Sequence, residues 1–399
     1  MAAFEIKDGI YSVGVLNPNL RIFDIIMKTE YGTSYNAYLI KGEKTALVEA
    51  VHAPFFDEYL DNIRSIVDIK DIDYIILNHT EPDHSGALKY LLKENPDIKV
   101  ITSMPGNKYI RDIVNRSFDH QVVKDGDTLD LGGKVLKFII APFLHWPDSM
   151  FTYVETDDVL FSCDFLGCHY CEPRMYDHKI IYKENFEDAF RYYYDVIFGP
   201  FKEHVLKGLE KIEGLKIDVI CPSHGPILIE GIQKAQQLYK EWSRDITEKN
   251  NPPKVVIAYI SAYGCTRRMA EELEKAIKDT GSIEVELMNI IYSDIHDIKE
   301  KIEKADGVLF GSPTINRDAV KPVWDLLSMV EVFKNKGKLC GVFGSYGWSG
   351  EAVKMMEERV KSLKLKLFGE GITAKFVPSE EELKKIYEYG KAFAQAMEH

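Results

Sequence analysis

The densest group of side chains that could do chemistry lies in the segment HTEPDHS, directly after an apolar run. Buried ionisable groups cost several kcal/mol unless they are paired or bind a cation. We therefore interpret the group as a metal site, although a solvated loop is the simpler alternative for the segment taken alone. Its candidate ligands are His79, Glu81, Asp83 and His84.

Three more candidate ligands follow apolar runs further along the chain, namely His145, Asp164 and His224. Ligands from separate strand ends that meet at one edge of a fold form a rigid site. Four histidines and three carboxylates exceed the roughly four to six positions around one ion, so the set favours two metal ions with Asp164 as the bridging candidate. Imidazole and carboxylate ligands suit iron, manganese and zinc, so the ligand types leave the metal open.

A second candidate site begins with SAYGCT, a turn between an apolar run and an amphipathic helix. Hydroxyl and N–H groups at a helix N-terminus favour a phosphate because that end carries partial positive charge. The segment lacks the GxGxxG pattern of dinucleotide sites and the GK[ST] ending of a triphosphate loop, so one phosphate, as in FMN, fits better. The candidate binding residues are Ser261, Tyr263, Gly264, Cys265 and Thr266.

Two further loops follow apolar strands at the edge where a doubly wound sheet binds its ligand. Glycines there permit close approach of a backbone, and aromatic residues could flank a planar ring. For each aromatic alone, a place in the core or rim is the simpler alternative. The candidate residues are Ser312, Pro313, Thr314 and Asn316 in one loop, and Ser345, Tyr346, Gly347, Trp348 and Gly350 in the other.

The elements that must position these groups divide near residue 250. The segment EWSRDITEKNNPPK, residues 241–254, is charged and carries a proline pair, which is typical of a linker. A chain of 399 residues is also too long for one ordinary core. We therefore predict two domains, residues 1–250 and residues 251–399.

The two predicted domains differ in their hydrophobic pattern. Strands dominate the first, with helical periods between some of them, so we expect an α+β domain with helices on the outside of two sheets. The second alternates strands with amphipathic helices, which predicts an α/β domain built on a doubly wound parallel sheet.

Composition excludes several classes of function. The formal net charge of -13 disfavours binding to nucleic acid or to an anionic membrane. No signal peptide is visible and no apolar run reaches the ~18 residues that a membrane span needs, so we predict a cytoplasmic protein. Six cysteines do not form a disulfide framework, and the CHYC segment at Cys168 and Cys171 lacks a second CxxC.

In combination, these motifs resemble those of the flavodiiron proteins. The ligand set resembles that of the metallo-β-lactamase fold, but Glu81 stands where zinc hydrolases usually carry a second histidine. The segments SAYGCT and GSYGWSG resemble the FMN loops of flavodoxin. The resemblance covers essentially the whole chain. It implies a metallo-β-lactamase-like αββα sandwich followed by a flavodoxin-like doubly wound parallel sheet.

The resemblance also implies cofactors and an activity. It implies FMN and two non-haem iron ions in an oxidoreductase that passes electrons from an external donor, such as rubredoxin or a reduced deazaflavin, through FMN to iron. There O2 is reduced to water, or NO to N2O. A head-to-tail homodimer, or a dimer of such dimers, is implied as well. By the same resemblance, one iron takes His79, Glu81 and His145, the other takes Asp83, His84 and His224, and Asp164 bridges them.

Two other interpretations stay open at this point. One is a dizinc hydrolase of the metallo-β-lactamase fold fused to a flavodoxin domain, which Glu81 disfavours. The other is an electron carrier or redox sensor whose metals are structural. Among the remaining residues, His169 is expected to line the pocket or to donate a hydrogen bond to a metal ligand. The tyrosines at 192–194 are expected in the core, with the alternative that one of them points into the pocket. Surface or ordinary core positions are expected for His52, His120, His178, His204 and His296.

Overall fold

The computed structural model describes residues 1–25, 27–244, 250–281 and 283–397. The chain divides into two units, Met1–Ile246 and Thr247–His399. Residues 245–249 of the predicted linker lie outside the described residues, and so do the last two residues of the second predicted domain. None of the described helices is long and apolar enough to cross a membrane.

Short strands and helices alternate through the first unit. Its described strands are β1 (Phe4–Lys7), β2 (Ile10–Ser12), β3 (Val15–Asn17), β4 (Ile22–Phe23), β5 (Met27–Lys28), β6 (Thr33–Tyr35), β7 (Tyr38–Lys41), β8 (Thr45–Val48), β9 (Ile72–Leu77), β10 (Lys99–Thr102), β11 (His120–Val122), β12 (Thr128–Asp130), β13 (Val135–Ile140), β14 (Met150–Val154), β15 (Val159–Cys163) and β16 (Val219–Pro222). Its helices are α1 (Phe56–Arg64), α2 (Pro82–Ser85), α3 (Leu88–Glu94), α4 (Met104–Val114), α5 (Lys183–Tyr193), α6 (Lys202–Ile212) and α7 (Ile232–Ser243).

Two large sheets form the centre of this unit. One has the order β1-β2-β7-β8-β9-β10-β11, and the other has the order β12-β13-β14-β15-β16. A core that includes Ile76, Phe138 and Phe161 lies between them. A second core joins the first sheet to its outer helices, and a third joins the second sheet to α5, α6 and α7. The predicted αββα sandwich is therefore confirmed.

Local signals explain where individual helices begin and end. Ser103 caps α4 because its hydroxyl accepts a hydrogen bond from the N–H of Gly106, and Asn115 ends that helix in a left-handed conformation. The helical period of hydrophobic residues that runs through 185–212 is interrupted between α5 and α6. There a π-helical turn, Tyr194–Phe198, is followed by a 3-10 turn that contains Pro200, which lacks the N–H that an α-helix needs.

The second unit follows the predicted alternation. Its strands are β17 (Lys254–Tyr259), β18 (Glu284–Asn289), β19 (Gly307–Gly311), β20 (Thr314–Ile315), β21 (Asp318–Ala319), β22 (Leu339–Tyr346), β23 (Lys366–Leu367) and β24 (Ile372–Lys375). Its helices are α8 (Cys265–Lys278), α9 (Ile295–Lys304), α10 (Lys321–Met329), α11 (Val332–Asn335), α12 (Glu351–Ser362) and α13 (Glu380–Met397).

The main sheet of this unit is parallel, in the order β18-β17-β19-β22-β23, and β24 also pairs with β22. Separate cores cover its two faces, one formed with α9, α10 and α12 and the other with α8 and α13. The predicted doubly wound sheet is confirmed. Because β17 is the first strand and its neighbours are the second and third, the connections diverge between β17 and β19, which is where ligands bind in such sheets.

Helices α8 and α13 pack closely at Gly390. A Cβ atom at this position would lie 2.8 Å from the Cβ of Ala276 and 3.2 Å from the carbonyl oxygen of Leu273. The first distance is too short for two carbon atoms, so a side chain here requires the helices to separate.

We predict that Gly390→Ala destabilises the second unit by about 1 to 3 kcal/mol. At an exposed helical position the same change stabilises a protein by roughly 0.5 to 1 kcal/mol, so the packing argument reverses the sign. Urea unfolding of the full chain, followed by hydrogen exchange in α8 and α13, measures the effect. The double variant Ala276→Gly/Gly390→Ala removes the clash and should recover part of the loss, whereas additive losses in the double variant would contradict the packing argument.

Candidate functional site

The first four predicted ligands lie in the loop after β9 and in α2. Glu81 immediately precedes α2, which begins at Pro82, a residue suited to a first helical position. The backbone N–H of Ser85 donates to the carbonyl oxygen of Glu81, and the N–H of Ala50 donates to that of His84. These bonds hold the loop against the end of β8.

The other three predicted ligands come from the second sheet. His145 follows β13, Asp164 follows β15 and His224 follows β16. All seven predicted metal-site residues are buried except His145, whose side chain is 15% exposed. Both sheets therefore contribute ligands to the same edge of the sandwich.

The seven residues form two adjoining groups. In the first group, Glu81 Oε2 lies 3.1 Å from His79 Nε2 and 3.2 Å from His145 Nε2. These three side chains offer ligand atoms that all lie within 4.8 Å of one another. They are the set that the resemblance assigns to one iron.

In the second group, Asp83 Oδ2 lies 3.1 Å from His224 Nε2, and Asp83 Oδ1 lies 3.6 Å from His84 Nε2. The ligand atoms of these three residues also lie within 4.8 Å of one another. They are the set that the resemblance assigns to the other iron.

Asp164 lies between the two groups and turns one oxygen toward each. Its Oδ2 atom is 3.7 Å from His145 Nε2 in the first group. Its Oδ1 atom is 3.3 Å from both His84 Nε2 and His224 Nε2 in the second group. A carboxylate placed in this way can bridge two cations.

The arrangement fits two metal ions by two independent criteria. Ligand atoms at about 2.1 Å from one tetrahedral or octahedral ion lie roughly 3.0 to 3.5 Å apart, close to the separations between the histidine nitrogens and carboxylate oxygens. In addition, both carboxylate oxygens of Asp83 are buried and have no hydrogen-bond partner in the described part of the chain, although His224 Nε2 is only 3.1 Å from one of them. Bound cations would satisfy these oxygens.

The electrostatics of the groups point the same way. Burial acts against the charged form of His84, but Asp164 and Asp83 outweigh it and raise the pKa of His84 to about 10. Burial likewise acts against the charged form of Asp164, but the charge of His84 holds the pKa of Asp164 well below its usual range. Burial also acts against the charged form of His79, but Asp148 outweighs it and raises the pKa of His79. Protons on His79 and His84 therefore compensate the carboxylates in the absence of metal, and cations would replace them.

Two of the ligand histidines are oriented through their other ring nitrogen. Nδ1 of His79 lies 3.1 Å from both carboxylate oxygens of Asp148, which also accepts bonds from the N–H and the hydroxyl of Thr80. Nδ1 of His224 lies 2.7 Å from the backbone oxygen of Ser34. Such partners fix the tautomer that leaves Nε2 free for a metal.

Sequence reasoning missed Asp148 and Glu49. Asp148 lies three positions after His145 in the segment HWPD, but nothing in that spacing separates a ligand from a partner of a ligand. Glu49 is buried at the end of β8, and its Oε2 atom lies 3.8 Å from His84 Nδ1. Burial raises the pKa of Glu49 to about 8, while the charges of His84 and His79 act in the opposite direction.

The three adjacent tyrosines have different surroundings. The hydroxyl of Tyr193 donates to Asp164 Oδ1 at 2.9 Å, so this tyrosine touches the site. Tyr194 is buried with its hydroxyl 2.6 Å from that of Ser243, and Tyr192 is 41% exposed. The π-helical turn that follows α5 begins directly after Tyr193, a common feature at functional sites.

His169 lines the same pocket. Its ring centroid lies 4.9 Å from those of Tyr193 and His224, and Phe23 covers it at 4.6 Å. Its Nδ1 atom contacts the hydroxyl of Thr33 at 2.9 Å, and burial lowers its pKa to about 3. His169 is therefore neutral.

The remaining histidines and most of the cysteines lie away from these ligands, but Cys163 offers a sulfur atom within 4.8 Å of ligand atoms of Glu49 and His84. His120 and His296 are exposed, whereas His52 packs against Tyr35 and Phe55. His178 lies 3.4 Å from Asp177, and His204 packs against Phe143. All six cysteines are free; of the CHYC pair, Cys168 is buried and Cys171 is partly exposed.

The three predicted FMN loops follow β17, β19 and β22 of the second unit. In the first loop, Gly264 has φ +85° and immediately precedes α8, and the hydroxyl of Ser261 is buried without a hydrogen-bond partner in the described residues. The hydroxyls of Thr266 and Ser345 are 2.7 Å apart, which joins the first loop to the third. A phosphate at the start of α8 would find hydroxyl groups and N–H groups there.

The other loop residues complete this edge of the sheet. Ser312 holds its own loop, because its hydroxyl donates to the carbonyl oxygen of Pro313 and accepts from the N–H of Val320. A cavity at the third loop is lined by Tyr346, Trp348 and Gly350 among others. Tyr263 and Trp348 are 95% and 87% exposed, so two large aromatic side chains are available to a planar ligand. Cys265 begins α8, Thr314 and Asn316 lie at the β20–β21 turn, and Gly347 follows β22.

Comparison with known proteins matches both units. A family model described as "ODP family beta lactamase" matches residues 33–225, and a flavodoxin model matches residues 257–390. The chain is 52% identical over 402 residues to "Flavo-diiron protein FprA2" of Clostridium acetobutylicum, with 100% of both chains covered. It is 37% identical to "Nitric oxide reductase" of Moorella thermoacetica, with 98% of this chain and 97% of that protein covered.

Solved structures match over the same length. Rubredoxin oxygen:oxidoreductase from Desulfovibrio gigas superposes with a TM-score of 0.71 at 33% identity, and 99% of this chain and 98% of that chain are covered. The flavodiiron protein from Giardia intestinalis superposes with a TM-score of 0.68 at 30% identity, covering 100% of this chain and 97% of that chain. The similarity therefore extends across both units.

We predict that Asp148→Asn weakens binding of the metal that His79 contacts by about 10- to 100-fold. The carbonyl oxygen of the new amide would accept the hydrogen bonds from the N–H and the hydroxyl of Thr80. Its NH2 group would then face Nδ1 of His79 and favour the tautomer with the proton on Nε2, which cannot bind a metal through that nitrogen. Competition with a chelator in the full chain measures the affinity. Unchanged affinity for both metals would contradict the role of Asp148.

We also predict that the metal-free protein loses stability as the pH rises from 6.5 toward about 10, because His84 has a folded pKa of about 10 against an ordinary value of 6.5. A raised pKa contributes stability that is complete below the unfolded pKa and disappears as pH rises through the folded pKa. Urea unfolding across this range measures the slope. The metal-loaded protein, in which cations replace the protons, should show a smaller slope, and equal slopes would refute the explanation.

Proposed function

The chain belongs to the flavodiiron proteins, oxidoreductases that reduce O2 or NO, and on that premise we propose the residues through which it does so. The first unit binds two iron ions through the two groups around Asp164, and the second unit binds FMN at the loops after β17, β19 and β22. An external donor supplies electrons to FMN, which passes them to iron.

The position of Asp164 carries the proposal for the metal site. Each of its oxygens faces a different group, and each group holds two histidines and one carboxylate of its own. We assign His79, Glu81 and His145 to the first iron and Asp83, His84 and His224 to the second. When bound, the iron pair supplies electrons and adjacent binding positions for small gas molecules.

The surrounding residues prepare the site for that chemistry. Asp148 and the backbone oxygen of Ser34 offer acceptors to Nδ1 of His79 and of His224, so that Nε2 of each ring would be available to a bound metal. Tyr193 donates its hydroxyl to the second-group oxygen of Asp164, which stabilises the negative charge of that oxygen. Phe23 and His169 cover the pocket and limit the access of water.

The second unit supplies the flavin site. The start of α8 with Ser261 and Thr266 suits one phosphate, and Tyr346 and Trp348, which line the cavity at the third loop, would flank a flavin ring. Bound FMN would carry electrons between the donor and iron.

The donor and the assembly complete the proposal. Relatives of this chain are named flavorubredoxin in Escherichia coli and rubredoxin oxygen:oxidoreductase in Desulfovibrio gigas, which supports a rubredoxin-type donor, with a reduced deazaflavin as the alternative. We propose a cytoplasmic head-to-tail homodimer in which the FMN of each chain faces the iron site of its partner, or a dimer of such dimers. A closed two-fold pair is the commonest oligomer.

We predict that the anaerobically reduced holoenzyme reoxidises its flavin much faster than free FMN when it is mixed with O2 or with NO. His145→Ala should retain FMN but slow this reoxidation by about 10- to 100-fold, because the first iron loses a ligand. Stopped-flow absorbance of the flavin with each gas separately, together with iron and FMN content, measures both effects and the preference between the gases.

The exposed His120 offers a matched control, since His120→Ala should leave iron content and both rates unchanged. If the wild-type flavin reoxidised no faster than free FMN with either gas, the proposal would fail. A protein isolated anaerobically with two zinc ions, no iron and hydrolase activity would also overturn it.

A further inference from the structure

The ligand histidines differ in what holds their second ring nitrogen. His79 and His224 each have an acceptor within hydrogen-bond distance of Nδ1, which is Asp148 in one case and a backbone oxygen in the other. His84 differs, because Glu49 Oε2 faces its Nδ1 at 3.8 Å, too far for a hydrogen bond. Glu49 Oε2 is therefore a possible acceptor for His84 Nδ1, but the hydrogen bond between them is not formed.

Glu49 is held firmly in this position. Its N–H donates to the carbonyl oxygen of Ile76, and its own carbonyl oxygen accepts from the hydroxyl of Tyr59. Its Oε1 atom accepts from the N–H of Asn78 at 3.2 Å. Among the described residues, Oε2 has no hydrogen-bond partner, although the side chain is only 1% exposed.

The backbone of Glu49 is also unusual. Its φ angle is +63°, a left-handed conformation that is unfavourable for a residue with a side chain. Such conformations persist where the surroundings determine them, and they cluster at functional sites. The strained backbone and the three hydrogen bonds together direct a buried, unpartnered carboxylate oxygen at His84.

We propose that Glu49 is the positioning residue that determines whether His84 binds the second metal. When Oε2 accepts a hydrogen bond from the N–H at Nδ1, the proton stays on Nδ1 and Nε2 keeps a lone pair for the metal. When that hydrogen bond is not formed, the proton can lie on Nε2, which then donates a hydrogen bond to Asp164 Oδ1, 3.3 Å away. This inference rests on the proposed function only for the assignment of His84 to the second group.

The substitution Glu49→Gln gives a directional test. Since the N–H of Asn78 needs an acceptor, the amide oxygen of glutamine would take the place of Oε1, and its NH2 group would face His84 Nδ1. This NH2 group donates a hydrogen bond, so Nδ1 of His84 must accept it and the proton of the ring moves to Nε2. His84 then cannot bind the metal through Nε2. The variant reverses the tautomer without changing the size of the side chain.

The experiment uses the full chain with 15N-labelled histidine, titrated with zinc alone. In the wild type, both zinc ions bind and His84 Nε2 shows the 15N shift of a metal-bound nitrogen. In Glu49→Gln, we expect His84 Nε2 to carry a proton and the second zinc to bind about 10- to 100-fold more weakly, with the first unchanged. Glu230→Gln, at an exposed glutamate, is the matched control and should behave as the wild type.

Wild-type zinc affinity and a zinc-bound His84 in Glu49→Gln would overturn the proposal. The proposal would also be overturned if His84 no longer bound zinc in Cys163→Ala but still bound it in Glu49→Gln. Cys163 would then control His84, since it belongs to the same cluster as Glu49 and His84. A crystal structure of the zinc-loaded wild type tests the idea without any variant. We expect Glu49 Oε2 within hydrogen-bond distance of His84 Nδ1, and a zinc-bound His84 without this bond would refute it. Zinc does not turn over O2 or NO, so failure of the proposed activity would leave these results unaffected.

Discussion

The first unit depends on the compensation of carboxylates that are buried together at one edge of its sandwich. Glu81 and Asp164 lie 3.2 and 3.7 Å from Nε2 of His145, and Asp83 and Asp164 lie 3.1 and 3.3 Å from Nε2 of His224. Asp148 and Glu49 lie behind the ligand histidines His79 and His84. Buried negative charges in this arrangement would destabilise the folded state unless positive charge compensated them. Histidine protons supply the compensation without metal, whereas two cations supply it when they are bound, so the same geometry that stabilises the fold also defines the metal site.

This requirement explains why the ligands come from loops at the ends of strands. A strand interior buries its side chains between two sheets or against helices, and β14 and β15 are buried at every position. Polar groups can converge only where the strands end, as His79, Asp164 and His224 do after β9, β15 and β16. The second unit follows the same rule, because its three loops meet at the carboxyl ends of parallel strands.

The sequence predicted the features that strong local signals encode. Alternation of strands and amphipathic helices predicted the doubly wound sheet, and the spacing of HTEPDHS predicted a group of candidate ligands that the fold does bring together. The partners of those ligands were not predictable in this way. Asp148, Glu49 and Tyr193 are ordinary residues in their own segments, and only the packing of both sheets with α5 brings them to the site. The break between α5 and α6 was also missed, because the helical period continues through a turn that contains Pro200.

The supports of the histidines make the two metal positions unequal. His79 has a carboxylate behind it, and an anionic acceptor makes an imidazole a more basic ligand than a neutral acceptor does. His224 has only a backbone carbonyl, and the carboxylate behind His84 lies 3.8 Å away. With metal ions bound as we propose, the carboxylate behind His79 would favour a higher charge on the first metal than on the second. Asp164 turns one oxygen to each group, so a change of charge at one metal position would alter the electrostatic potential at the other through this side chain. Tyr193 donates its hydrogen bond to Oδ1, the oxygen that faces the second group.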